Sequence, residues 1–362
     1  MSSNRMNDWV LIGLGLAVLV GGAELLVRGA SVLASRLGVS PLVVGLTVVA
    51  FGTSSPELAV SLSAVARDQP DLVLGNAVGS NTFNVLFILG LSALVRPLIV
   101  SQKLIRVDVP IMIAVSIVLW AMLLDGSLGR FDGVLLLGGI VVYTILAIRM
   151  SRRESLAVVE EYASAVPKPT RHSITKALIL IAVGLAGCVL GAQWFVSGAV
   201  SVATDMGVSE LVIGLTIVAA GTSLPELATS LVAVVRGQRD IAVGNVIGSN
   251  IFNILGILGL AGIVAPRGIP VEPSLMAFDL PVMIAVAVAC LPIAFTGFRI
   301  NRWEGGMLFG TYLSYIAFIV LTSNQHEFAG WLSTAMRYFF IPIAGFGILM
   351  SVGHVFLARG RH

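Results

Sequence analysis

The chain has 362 residues, 57% of them hydrophobic and 11% charged, with a mean hydropathy of +0.98 and a formal net charge of +3. Soluble domains carry about 25% charged residues, so this composition excludes a soluble globular protein and leaves a polytopic membrane protein. The basic balance does not indicate a nucleic-acid partner, because Lys and Arg lie between apolar spans and not on one face with interleaved aromatics.

Eleven apolar segments follow one another, at roughly 9–33, 41–66, 71–95, 105–124, 131–150, 175–200, 208–235, 240–264, 277–297, 303–322 and 333–357. Each approaches the ~20 residues that cross a bilayer as a helix. The first begins near Trp9 with no small-residue cleavage site, so it reads as a retained helix and not a signal peptide. The one long polar stretch, about 151–172, holds Arg152, Arg153, Glu154, Lys168 and Arg171 and is too short for a folded domain. Cys188 and Cys290 stand alone in apolar spans, and no disulfide is expected between them.

Cytoplasmic loops are enriched in Lys and Arg. With the N-terminus outside, 16 of the 22 basic residues fall on the inner side and 5 on the outer, with Arg28 inside the first helix. The reading is therefore a multi-pass protein with an external N-terminus, a cytoplasmic linker and an internal C-terminus, in a bacterial inner membrane.

An internal repeat organises the chain. Gly29–Leu91 aligns with Gly198–Leu260 at a constant offset of 169, and 39 of the 63 positions are identical. Asp108 and Pro110 match Asp279 and Pro281, while Arg130, Asp132, Gly133 and Tyr143 match Arg302, Glu304, Gly305 and Tyr315. Each copy holds five spans, an odd number, so the second starts on the opposite side of the membrane. The expected fold is an all-α integral membrane protein of two inverted five-helix repeats, ten core helices, plus an eleventh C-terminal helix. Residues 1–150 form the first repeat, 151–172 the linker, 173–322 the second repeat, and 323–362 the extra helix and tail.

Two polar interruptions recur in each copy. The first is Gly52-Thr53-Ser54-Ser55-Pro56-Glu57, matched by Gly221-Thr222-Ser223-Leu224-Pro225-Glu226. The second runs from Gly75-Asn76 through Gly79-Ser80-Asn81 to Asn84, matched by Gly244-Asn245, Gly248-Ser249-Asn250 and Asn253. Glu57 and Glu226 are carboxylates flanked on both sides by apolar sequence, and such residues normally face a pathway or cavity. Pro56 and Pro225 break the helix beside them, freeing carbonyls around Ala50–Gly52 and Ala219–Gly221. Carboxylate, hydroxyl, amide and carbonyl oxygens are hard donors that suit Ca²⁺. The four histidines sit in loops or near span ends, so Zn²⁺ or Cu ligation is not expected. Two ionised glutamates give a charge of −2, which one Ca²⁺ or two Na⁺ would neutralise. Gly75, Gly79, Gly244 and Gly248 read as packing positions, and Asn76, Asn81, Asn245 and Asn250 as interhelical hydrogen-bond partners. Glu24, whose repeat counterpart is Gln193, reads as a local partner of Arg28. Asp108 and Asp279 read as helix N-caps.

At these residues the sequence resembles the cation/calcium exchanger superfamily, in its prokaryotic sodium/calcium exchanger branch. The resemblance covers spans one to ten. It implies ten helices, with helices 2, 3, 7 and 8 around a central ion site. It further implies that Glu57 and Glu226 are shared Ca²⁺ and Na⁺ carboxylates. Thr53, Ser54, Ser80, Thr222, Ser223 and Ser249 supply hydroxyl or carbonyl ligands. The carbonyls of Ala50 and Ala219 serve flanking Na⁺ sites, and Asn84 and Asn253 line the middle one. The implied activity is Ca²⁺ exchange for Na⁺ by alternating access, three Na⁺ to one Ca²⁺ in common members, with spans one and six as a long tilted pair that slides. No enzyme chemistry and no cofactor are expected, and the partners are the two ions and the lipid bilayer. H⁺/Ca²⁺ exchange, K⁺-dependent exchange and, in another class, a passive cation channel remain as alternatives. Two departures stand out: Asn253 occupies a position where some prokaryotic relatives carry Asp, and the segment at 333–357 lies outside the ten-helix pattern.

Overall fold

The computed structural model describes residues 2–151, 174–207, 213, 217, 219–295 and 298–323. The linker past Ser151, most of 208–218 and the eleventh apolar segment lie outside the described residues. Among the described residues eleven helical runs longer than one turn follow in order: α1 (Ser2–Leu37), α2 (Pro41–Thr53), α3 (Ser55–Ala66), α4 (Pro70–Val95), α5 (Leu104–Asp125), α6 (Arg130–Ser151), α7 (Ile174–Asp205), α8 (Leu224–Val235), α9 (Arg239–Val264), α10 (Leu275–Leu291) and α11 (Arg302–Ser323). By length and composition α1, α4, α5, α6, α7 and α9 can each cross a bilayer. The pair α2–α3, bent by 43°, makes a seventh crossing when counted as one span.

Burial separates these helices into an inner and an outer set. In their most apolar stretches α4 and α9 are 72% and 83% buried, against 22–39% for α1, α5, α6 and α7. The outer helices keep large apolar side chains on the surface, among them Leu14, Phe131, Val142 and Leu178, as lipid-facing helices do. The inner helices carry the Gly, Ser and Asn residues of the second motif. Gly244 and Gly248 are there for close approach, since a Cβ would come within 2.8 Å of the Leu42 carbonyl and 2.5 Å of the Leu46 carbonyl. Around Gly75 and Gly79 no described atom comes within 4 Å of such a Cβ; residues 211, 214 and 215, the repeat counterparts of Leu42, Gly45 and Leu46, lie outside the described residues.

Helices α1 and α7 form one long antiparallel pair. With 36 and 32 residues they run to about 50 Å each, well beyond the ~30 Å hydrocarbon core, which favours tilting. Gly22 meets the backbone of Gly184 and Cys188, and Gly15 meets that of Gly191 and Phe195. Rising numbers on one helix oppose falling numbers on the other, which fixes the antiparallel sense.

Two ribbons that hydropathy did not signal join the loops. Leu98–Ile99 (β1) pairs antiparallel with Arg299–Ile300 (β4), and Ser127–Leu128 (β2) with Ile269–Pro270 (β3). Each joins an early loop to a late one.

The N-cap expectation for Asp108 and Asp279 is corrected. Asp108 has helical angles (φ −74°, ψ −42°) and makes no capping bond. Its Oδ1 accepts the hydroxyl of Tyr143 at 3.1 Å, and Asp279 Oδ1 accepts that of Tyr315 at 2.9 Å. Both lie inside continuous helix, at the end of a wide π turn (Leu104–Asp108, Leu275–Asp279), and their carboxyls reach a neighbouring helix.

Candidate cation site

The site is made where two helices break. Ser54 leaves helical geometry (φ −81°, ψ 10°), as does Ser223 (φ −89°, ψ 8°). Pro56 and Pro225 follow at the start of α3 and α8, where a missing N–H costs nothing. This sets Glu57 and Glu226 in the first turn of the restarted helix. A helix N-terminus favours an anionic side chain there.

The halves are then bonded crosswise. Ser54 Oγ donates to Glu226 Oε1 at 2.7 Å, and Ser223 Oγ donates to Glu57 Oε1 at 2.8 Å. Ser80 Oγ stands 3.3 Å from Ser223 Oγ, and Ser249 Oγ reaches Glu226 Oε1 at 3.5 Å. Both glutamates are 1% exposed, and Thr53, Ser54, Ser223, Ser249, Asn84 and Asn253 are equally buried. Thr53 Oγ1 donates to Asn245 Oδ1 at 3.0 Å, while Thr222 is partly buried with its Oγ1 atom enclosed. Ala50 O accepts the Ser54 N–H at 3.0 Å, so the expected release of this carbonyl is corrected; it keeps one further lone pair. Ala219 opens the short turn Ala219–Gly221 ahead of the second break.

Asparagines hold the restarted turns in place. Asn76 Nδ2 donates to the Glu57 carbonyl and to Ser61 Oγ, both at 3.0 Å. Asn245 Nδ2 does the same for the Glu226 carbonyl (3.3 Å) and Ser230 Oγ (3.1 Å). Ser61 and Ser230 were not singled out from the sequence. Their signal was present, since they are identical across the repeat and one turn beyond each glutamate.

Among the described residues no three of His, Cys, Asp and Glu cluster, so the charge of the site comes from the two glutamates. Among those residues neither pairs with a basic side chain, and the buried Glu57 Oε2 and Glu226 Oε2 have no hydrogen-bond partner. The Oδ1 atoms of Asn84 and Asn253 are in the same condition. Buried acceptors left unbonded cost about 1–3 kcal/mol each, more when charged. These spare atoms and the Thr222 hydroxyl are all oxygens, the donor type that suits a desolvated hard cation.

Comparison with known proteins agrees with this chemistry. The family model described as "Sodium/calcium exchanger protein" matches residues 7–149 and 176–321. A putative antiporter, CaxA of Alkalimonas amylolytica, is 39% identical over 311 residues, covering 84% of this chain and 96% of its own. The sodium/calcium exchanger MaX1 of Methanosarcina acetivorans is 35% identical over 347 residues, covering 87% and 98%. Among solved structures, the sodium-calcium exchanger NCX_Mj soaked with Na⁺ and Ca²⁺ superposes with a TM-score of 0.73 at 32% identity, over 86% of this chain and 97% of that one.

Proposed function

This chain belongs to the sodium/calcium exchanger protein family, and we propose that within it the protein is a secondary active antiporter exchanging Ca²⁺ for Na⁺ electrogenically by alternating access. The observation that carries the reading is the crosswise pairing of Ser54 with Glu226 and of Ser223 with Glu57. It brings one carboxyl from each sequence repeat into one buried chamber. Glu57 and Glu226 hold Ca²⁺ or share Na⁺. Thr53, Ser54, Ser80, Thr222, Ser223 and Ser249 complete the oxygen shell, and the Ala50 and Ala219 carbonyls with Asn84 and Asn253 serve the neighbouring positions.

Two inverted repeats, 1–150 and 173–322, supply this site. Their inversion is supported by contacts that exchange under the sequence offset. Gly15 faces Gly191 as Gly184 faces Gly22, and β1–β4 is answered by β3–β2. An inverted repeat gives two equivalent half-pathways, one to each side, so that occlusion can pass from one to the other. With −2 from the glutamates, Ca²⁺ leaves the loaded site neutral, and three Na⁺ leave it +1. The protein sits in a bacterial inner membrane with its N-terminus outside, and residues 151–172 form a cytoplasmic linker.

The test is Ca²⁺ uptake into proteoliposomes with imposed Na⁺, K⁺ or H⁺ gradients and a clamped potential. Uptake that requires outward Na⁺ and responds to potential is expected. Uptake driven by ΔpH and indifferent to Na⁺ would assign the counter-ion to H⁺, and uptake with no trans cation would make the protein a channel.

A further inference from the structure

Asn84 and Asn253 each present an amide, and an amide has two ends of nearly equal shape and opposite character, an acceptor oxygen and a donor NH₂. In a cation site only one orientation works. The structure carries an arrangement that selects it. Asn84 Nδ2 donates to Asn250 Oδ1 at 3.0 Å, and Asn253 Nδ2 donates to Asn81 Oδ1 at 3.0 Å. The NH₂ ends are thereby held away, and the buried Oδ1 atoms have no hydrogen-bond partner among the described residues. Asn84 follows Ser80 by one helical turn, on the face whose serine stands beside Ser223, so its free oxygen belongs to the glutamate chamber.

Asn81 and Asn250 are amides too, so their own orientation needs a cause. Asn81 Nδ2 donates to the Asn250 carbonyl at 3.2 Å and lies 3.6 Å from Met283 Sδ. Asn250 Nδ2 donates to the Asn81 carbonyl at 3.4 Å and lies 3.5 Å from Met112 Sδ. A backbone carbonyl and a thioether can only accept. They compel the NH₂ end of Asn81 and Asn250 toward themselves, which turns Oδ1 toward Asn253 and Asn84. Polarity thus passes from acceptor-only groups, through Asn81 and Asn250, to the site. Asn81 is 3% exposed and Asn250 2%, so water does not compete for these bonds.

Resting on the cation-exchange reading above, we propose that Asn81 and Asn250 are positioning residues that fix the amide orientation of Asn253 and Asn84, so that the site shows carbonyl oxygen and not NH₂ to the transported cation. Neither touches the ion. Each acts through the asparagine of the opposite half.

The test uses the full chain in proteoliposomes and exploits the symmetry of a carboxylate, both ends of which accept. Asn81→Ala is expected to raise the half-saturating Ca²⁺ concentration about tenfold or more, with a smaller change in maximal flux, as one misdirected polar contact at a buried site would. In an Asn253→Asp background the same substitution is expected to cost less than about threefold, because a carboxylate needs no orienting. Asn250→Ala with Asn84→Asp forms the mirrored pair and serves if Asn81→Ala fails to fold. Ca²⁺-dependent thermal stabilisation of the purified variants gives a readout independent of flux. An unchanged half-saturation in a folded Asn81→Ala or Asn250→Ala protein, or an equal loss in both backgrounds, would overturn the proposal. Absence of Ca²⁺ flux in the unsubstituted protein would instead reject the exchange reading itself.

Discussion

Glu24 of α1 and Arg236 at the end of α8 form an ion pair at 2.8 Å, while Glu24 also bonds Arg28 one turn along its own helix. The sequence reading foresaw Arg28 and missed Arg236. The equivalent positions in the other repeat are Gln193 and Arg67, and a neutral amide cannot form an ion pair. The pair therefore breaks the internal symmetry of the molecule, and under alternating access it favours one of the two end states. Arg236 is half exposed, which limits the energy to about 0–1 kcal/mol. Glu24→Gln is expected to change unfolding temperature little. It should shift the ratio of inward- to outward-facing protein by up to about fivefold, a shift that fades in high salt. Accessibility labelling of single cysteines on the two sides would read it, and a salt-independent ratio would reject it.

Glu57→Gln and Glu226→Gln keep shape and remove one charge each. Each is expected to lower Ca²⁺ flux at least about 100-fold, since one charge at a desolvated site is worth several kcal/mol. Both should leave the helical circular-dichroism signal intact. Full activity in either variant would remove that glutamate from the site.

Gly22 admits no side chain, because a Cβ there would stand 2.5 Å from the Cys188 backbone nitrogen. Gly22→Ala is expected to destabilise the protein by about 1–3 kcal/mol, the range for overpacking. Gly21 is its neighbour, about 100° round the helix, and no described atom lies within 4 Å of its Cβ direction. Gly21→Ala should be neutral, or stabilising by up to about 1 kcal/mol. Thermal unfolding in one detergent compares them, and equal effects would contradict the packing.

Tyr143→Phe and Tyr315→Phe each take a hydroxyl from a carboxyl, that of Asp108 or Asp279. Tyr143 and Asp108 are both buried, so about 1–3 kcal/mol of stability is expected to be lost there. The loss at Tyr315 should be smaller, because Asp279 is only partly buried and water can replace the hydroxyl. Unfolding free energies of the two variants check the order.

Much of this is legible in the sequence. The offset of 169 announced the repeat, and proline with an intramembrane glutamate announced both breaks, because neither residue is tolerated in a lipid-bound helix without a reason. What was missed has a common cause. The crosswise serine–glutamate bonds, the β1–β4 and β2–β3 ribbons and the Asn81–Asn253 relay join residues more than 140 positions apart. Period and composition report on neighbours within a turn or two. Asp108 misled for the opposite reason: a carboxylate two residues before proline is a good local N-cap signal, and Tyr143, 35 residues on, outcompeted it.

The contact between α1 and α7 is main chain against main chain where Gly15 and Gly22 meet Gly191 and Gly184, and side chains close it on either side, Ile181 against Gly29 and Ile12 against Gly198. Such a seam resists separation and bending together, so the two longest helices behave as a single strut. A rearrangement that opens the chamber is therefore expected along the flanks of that strut, where α1 and α7 meet α8, and not within it.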